Sequence, residues 1–241
     1  MKLHLLTLFP EIVAAYFSGS IMARSVERGL IEPHLVNIRD YAADRHRTVD
    51  DATYGGGAGM VLMPEPLARA LQSLGERASR RTIYPTPSGR RFDATYAREL
   101  SMEHDLAIIC GRYEGIDQRV IDQYVDDEIC VGDYVLSSGE VAALVIVDAV
   151  YRFLPGVISE DSLAEESFTA GLLEYPQYTR PEVFEGLRVP EVLLSGHHAR
   201  IRRWRLMRSL EKTRINRPDL FEELKRKQPE LLDMIEEREE E

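Results

Sequence analysis

The chain is short of long hydrophobic runs, of cysteine and of lysine, and each shortage excludes something. Its longest apolar run, Val141 to Val147, is closed by Glu140 and Asp148, whereas a membrane-spanning helix needs about 20 such residues. Pro10 and Glu11 interrupt the first apolar segment before a signal-peptide core forms, so no export signal is expected. Cys110 and Cys130, the only cysteines, are too far apart for a zinc or redox pair and too few for a disulfide framework. They read as small apolar filler in strands, and a cytoplasmic location is the expectation. Only four of the 30 basic residues are lysines, and none follows a glycine, so the GxxxxGK[ST] phosphate loop is absent. HExxH, GxSxG and a GxGxxG after the first strand are absent too, which removes support for zinc hydrolysis, acyl transfer and ordinary dinucleotide binding. Six histidines are scattered; the adjacent pair His197 and His198 cannot easily face one metal ion from a helix. There are no internal repeats.

What remains is ordinary in bulk and uneven in detail. With 241 residues, 44% hydrophobic and 29% charged, the chain has the composition of one large or two small globular domains. A net charge of −11 argues at first against a polynucleotide partner. The charge is segregated, however: Arg200 to Arg217 carries +7 and Pro218 to Glu241 carries −6. A concentrated cationic segment still docks on phosphates, because neutralising them releases condensed counterions. Twenty-six of the 30 basic residues are arginine, whose planar fork suits phosphates and base edges, although a GC-rich genome would also favour it. The acidic end, Glu236 to Glu241, reads as a solvated helix terminus.

Periodicity and punctuation predict an α/β layer with mostly parallel strands. Strands are expected at Lys2 to Phe9, Leu35 to Ile38, Thr82 to Tyr84, Leu106 to Cys110 and Glu128 to Val131. Helices are expected from Ser18 or Ser20 to Arg28, from Pro64 to Leu74, after Asp93, from Ile116 to Tyr124 and from Ser138 to Leu154, where Pro155 stops the last. Arg39 to Gly59 is polar and glycine-rich. Gly156 to Gly171 is polar, lacks a clear period and reads as a linker. From Leu172 onward only helices are expected, including the basic one at His197 to Lys212. The expected organisation is therefore residues 1–155, a linker at 156–171 and a helical domain at 172–241.

In parallel sheets ligands lie beyond the carboxyl ends of the strands. Three glycine-containing loops leave strands here, at 85–89, 111–115 and 132–139, and together they suit an adenosine-bearing cofactor held by main-chain groups. A fourth, Tyr54 to Met60, follows Asp44, Arg45, His46, Arg47 and Asp50. By itself that loop is as readily a plain turn, but its basic and acidic neighbours can grip a phosphate or read a base edge.

The strings YGGGAGM, CGRYEGID, VGDYVLSSGE, LLEYPQYTRPEV and VPEVLLSGHHARIRRWR resemble, in order and spacing, the bacterial tRNA (guanine-37-N1)-methyltransferases, the TrmD family of the SPOUT superfamily. The resemblance runs from LFPE near the start to the arginine-rich helix. It implies a deep trefoil knot, which nothing in the residue pattern indicates, followed by a small helical domain, in a homodimer. It implies S-adenosylmethionine as methyl donor, held by Tyr84, Thr86, Pro87, Gly111, Tyr113, Glu114, Gly115, Val131, Gly132, Asp133, Tyr134, Val135, Leu136 and Gly139. The implied substrate is a tRNA whose guanine 37 follows guanine 36, contacted by Arg45, His46, Arg47, Asp50, Gly57, Arg200, Arg203 and Arg208. The family is associated with magnesium, for which Glu114 is the nearby acid.

Methylation at N1 requires a base for the N1 proton and a cation for the charge developing on O6. The resemblance maps the cation onto Arg152. Its structural alternative is a surface pair with Asp148, which would contribute only about 0.3–0.5 kcal/mol. The base falls on Glu166, before Ser167 and Phe168, where the family has Asp; Asp161 is the nearest substitute. Ser138 replaces one of two family glycines and Ala142 a frequent proline; a serine is tolerated there if its φ is negative. In the basic helix, Ile201, Trp204 and Leu206 are expected inside and the arginines on phosphates. Three other readings remain open from the residues alone: a SPOUT methyltransferase acting at another nucleotide, a nonenzymatic tRNA-binding module, and a small-molecule nucleotide enzyme.

Overall fold

The computed structural model describes residues 1–159, 167–168 and 171–229. The chain divides into two compact units, residues 1–158 and 159–241. The expected linker falls largely on 160–166 and 169–170, outside the described residues, as do Asp161, Glu166 and the acidic end.

The first unit is built on a five-stranded sheet in the order β2-β1-β6-β5-β7, from β1 (Lys2–Thr7), β2 (Glu32–Asn37), β5 (Arg81–Arg91), β6 (Asp105–Ile109) and β7 (Asp127–Cys130). Every pairing within it is parallel. Helices cover both faces, so the strands read as continuous apolar runs rather than as alternations. The alternation is nevertheless there in the packing. On one face Leu3, Leu5, Leu106, Ile108 and Ile83 meet α1 (Pro10–Phe17), α4 (Ala94–Leu100) and α6 (Gly139–Tyr151). On the other, Leu6, Ala107, Ile109 and Tyr84 meet α3 (Pro64–Gln72) and α5 (Gln118–Tyr124).

Local chemistry explains most boundaries. Asp93 caps α4, accepting the Tyr96 N–H at 2.8 Å, as its position before the apolar run predicts. Asp117 does the same for α5 through Arg119 N–H at 2.9 Å, and starts that helix after Ile116 rather than at it. Proline stands in the first turn of α1 and of α3. Between them lies α2 (Ser20–Glu27), and here the sequence expectation needs correcting. Ser18 closes α1, its hydroxyl donating to Ala15 O at 2.8 Å, and Gly19 opens α2, so neither serine caps the start of α2 through its side chain. The first helix, α1, is missing from the sequence reading because only Pro10 marks its start.

Two further differences matter for function. The polar stretch at 39–59 contains half of a β-hairpin, β3 (Asp50–Ala52) against β4 (Met60–Leu62), whose tip is the glycine loop. And β5 does not end at Tyr84: it loops out after Pro85 and returns, so that both Pro85 and Arg90 pair with Ile129.

The second unit is described by itself. It holds a two-residue hairpin, β8 (Val183–Phe184) with β9 (Leu187–Arg188), where only helices were expected. Then come α7 (Glu191–Leu194), the basic α8 (His198–Asn216) and α9 (Pro218–Lys227). Leu172, Leu210, Phe221 and Leu224 form its small core, with Leu206 packed against them. Thr213 ties the strand-like segment at Leu173 to α8, accepting its N–H at 2.9 Å while donating to Ser209 O.

Candidate active site

The strand order β6-β5-β7 puts side by side the three strands that the glycine loops leave. Their carboxyl ends open on a cavity of about 240 Å³ lined by residues of all three loops. Tyr84, Thr86, Pro87, Gly111, Tyr113, Glu114, Gly115, Val131, Gly132, Tyr134, Val135, Leu136 and Gly139 line it together. Asp133, grouped with them on motif, is exposed but does not line it.

The loops approach so closely that backbone meets backbone. A Cβ on Gly139 would lie 2.4 Å from Gly111 N and 2.8 Å from Cys110 C, while Gly139 N–H donates to Gly111 O at 2.9 Å. The start of α6 is thus seated directly on the end of β6. Gly89 is equally constrained, since its Cβ would fall 2.4 Å from Ile129 N where the looped-out segment rejoins β7. Ser138, in place of a family glycine, has φ −158° and ψ 144°, an extended conformation open to any residue, so the substitution is accommodated without strain. Ala142 lines the cavity from the first turns of α6. Burial, and then the Glu128 carboxylate, push the Tyr84 phenol up, so its hydroxyl stays protonated at neutral pH.

The wall is therefore lined largely by glycine, aromatic and aliphatic residues, with charge confined to Arg112 and Glu114; Glu140, the partner of Arg112, is fully buried and outside the lining. Exposed main-chain donors and acceptors beside flat side chains can take the edge and faces of a purine ring. No group of three or more His, Cys, Asp or Glu side chains able to hold a metal ion occurs among the described residues. Arg112 and Glu140 were quoted within the motifs but given no role. A lone charge in a glycine-rich string at a strand end is the only signal that could have found them.

The glycine hairpin abuts this cavity. Glu114 N–H donates to Met60 O at 3.0 Å and Leu62 N–H to Gly115 O at 3.0 Å, and the Glu114 side chain lies against Gly59. Burial, and then the nearby Asp50 carboxylate, push the Tyr113 phenol up. Ahead of the hairpin, Asp44 accepts the His46 and Thr48 N–H groups at 3.0 and 2.8 Å. This organises a turn that displays Arg45 and His46 to solvent and holds Arg47 beside Asp40 at 3.1 Å. Gly57 lies at the exposed hairpin tip.

Arg152 is not at the cavity. It caps the far end of α6, thirteen residues from the Gly139 end, or about 20 Å at 1.5 Å per residue. Asp148, the partner in the structural alternative, accepts the Tyr16 hydroxyl. In the second unit Arg200 and Arg203 are exposed on α8, whereas Arg208 pairs with Glu211 at 2.6 Å and lies over the Trp204 ring. Ile201, Trp204 and Leu206 are half-buried, Trp204 beside Tyr178. Among the described residues no helix is long and apolar enough to cross a membrane.

Comparison with known proteins bears on this arrangement. The family model for tRNA (Guanine-1)-methyltransferase TrmD matches residues 1–223. A tRNA (guanine-N(1)-)-methyltransferase of Treponema denticola is 63% identical over 222 residues, covering 92% of this chain and 91% of the relative. Those of Geobacter sulfurreducens and Borreliella burgdorferi are 57% and 55% identical over 223 residues, covering 92% of this chain and 91% and 93% of theirs.

Proposed function

Because this chain belongs to the TrmD family, and so transfers a methyl group from S-adenosylmethionine to N1 of guanine 37 in tRNA, we propose the following division of labour among its residues. The cavity between the loops at 84–89, 111–115 and 131–139 holds the methyl donor, and the convergence of all three on one space is the observation that carries this reading. When bound, S-adenosylmethionine supplies an electrophilic methyl group on sulfonium. Main-chain groups of the loops hold it, and Tyr84 and Leu136 shield it from water. Asp133, outside the cavity lining, acts only through the shape of its loop.

Glu166 takes the N1 proton of the guanine, so that the nitrogen lone pair is free to attack in line; general-base catalysis of this kind contributes about 10²–10⁴-fold. Arg152 stabilises the negative charge that develops on O6. At about 20 Å from the cavity at the other end of its own helix, Arg152 serves the cavity of a second copy, which makes the active species a homodimer. The chain path through Gly139, pressed against Cys110 and Gly111, fits the deep trefoil knot of the SPOUT fold. Residues 1–155 form the donor domain, 156–171 the linker and 172–241 a helical tRNA-binding domain.

Arg45, His46, Arg47, Asp50 and Gly57 meet the anticodon loop where guanine 36 precedes guanine 37, and Arg200, Arg203 and Arg208 meet backbone phosphates. Magnesium, where it takes part, acts near Glu114. The protein works in the cytoplasm.

The test is transfer of labelled methyl to two tRNA transcripts, carrying guanine or adenine at position 37, by the wild-type chain and by Glu166→Gln. Labelling of the guanine transcript alone, lost by about 10²–10⁴-fold in the variant with donor affinity intact, is expected; near-normal turnover of Glu166→Gln overturns its role. Co-expressed Gly139→Ala and Arg152→Gln chains, each inactive alone, should recover activity in mixed dimers. Failure to do so overturns the shared site.

A further inference from the structure

One charge in the cavity wall, Arg112, has a buried partner that the roles above leave unused. Glu140, in the first turn of α6, is fully buried. One of its oxygens accepts the Thr7 hydroxyl at 2.6 Å and the other lies 3.0 Å from Arg112 Nε. The Arg112 N–H is not aligned on that oxygen, so the attraction is between charges rather than through a directed hydrogen bond. The amino-terminal end of α6, where Glu140 stands, favours negative charge. Arg112 lines the cavity, and its guanidinium is laid over the Phe9 ring at 4.5 Å. Thr7, which also accepts Phe9 N–H at 2.9 Å, ties both partners to the end of β1.

We propose that Glu140 is a positioning residue that neutralises Arg112 in the cavity wall, and so spares the cationic methyl donor a repulsion that its product, which lacks the sulfonium charge, would not feel. The proposal rests on the reading that this cavity holds S-adenosylmethionine. Donor and product differ by one methyl group and one positive charge, so their affinity ratio isolates electrostatics from fit. A lone guanidinium in the wall repels the sulfonium and leaves the thioether of S-adenosylhomocysteine nearly untouched. Across a separation on the order of 10 Å at an effective dielectric of about 20, that repulsion is worth roughly tenfold in affinity.

The experiment measures dissociation constants for S-adenosylmethionine and S-adenosylhomocysteine by calorimetry on the full chain, with melting curves confirming that each variant folds. Glu140→Gln keeps the volume and the acceptor for Thr7 but removes the charge. It should weaken donor binding about tenfold and product binding less than twofold. The double variant Glu140→Gln with Arg112→Gln removes both charges and should return the ratio to within about twofold of wild type. Equal weakening of both ligands by Glu140→Gln, or no return of the ratio in the double variant, overturns the proposal and leaves Glu140 a packing residue. A wild-type chain whose ligand binding is indifferent to Gly139→Ala would overturn the donor-site reading itself, and this proposal with it.

Discussion

Replacing Gly139 by alanine adds a single methyl group at the point where α6 is seated on the end of β6. The new carbon would lie 2.4 Å from Gly111 N and 2.8 Å from both Cys110 C and Gly111 O. These are backbone atoms in the middle of a parallel sheet's loop cluster, and no rotamer change relieves the clash. Overpacking of this kind costs about 1–3 kcal/mol. Separating the segments also gives up the Gly139 N–H to Gly111 O bond, a further ~1 kcal/mol. Together this is on the order of 2–4 kcal/mol, or a fall in melting temperature of about 5–15 °C for a chain of this size. Because the displaced segments are the cavity walls, affinity for the methyl donor should fall at least tenfold as well. Thermal melting and calorimetric titration with S-adenosylhomocysteine measure the two effects. The adjacent Ser138→Gly is the control: Ser138 is extended at φ −158°, so the change costs only the ~0.5–1 kcal/mol of added backbone freedom. If Gly139→Ala melts within about 1 °C of wild type and binds ligand normally, the close-approach argument is wrong.

His4 is buried on β1, between β2 and β6, 3.1 Å from Asp105 and stacked on His34 at 4.8 Å. Burial, against the opposing pull of Asp105, lowers its affinity for a proton. The unfolded chain therefore binds more protons than the fold below the ordinary histidine range. The stability this contributes is complete above about pH 6.5 and is lost as pH falls. Urea unfolding from pH 7 to pH 5 should show that loss, and His4→Gln should show less of it; an unchanged slope would refute the assignment. Asp44→Ala removes the acceptor that shapes the Arg45–His46 turn, and should raise KM for tRNA several-fold in steady-state assays with donor affinity unchanged. Arg203→Gln on α8 should weaken tRNA binding and reduce the slope of log affinity against log salt by about 0.7–0.9, as read by filter binding across salt concentrations. A slope equal to that of wild type would remove Arg203 from the phosphate contacts.

Much of the first unit was legible because its signals are local. Parallel strands buried on both faces produce apolar runs such as Leu106 to Cys110, and Asp93 is a capping residue whose partner lies three positions away. The loops at strand ends announce themselves by glycine. Where signals depend on partners far away in sequence, the reading fell short. The full length of β5 depends on a second pairing with Ile129, and β3 and β4 are three-residue strands too brief to show a period. The hairpin at Val183 to Arg188 was hidden for the same reason.

The motifs by themselves identified the family, and through it the methyl transfer and its tRNA substrate. Such strings persist because each residue in them meets a fixed local demand of turn, cap or contact. The tertiary structure alone decided that the loops open on one cavity, since that follows from strand order, and that Asp133 stays out of its lining while Arg112 enters it, paired with the buried Glu140. It also decided that Arg152 stands a helix length away from the site it was expected to serve. Distances of that kind arise from the summed packing of a sheet and the helices on its two faces, and no pattern of neighbours along the chain encodes them.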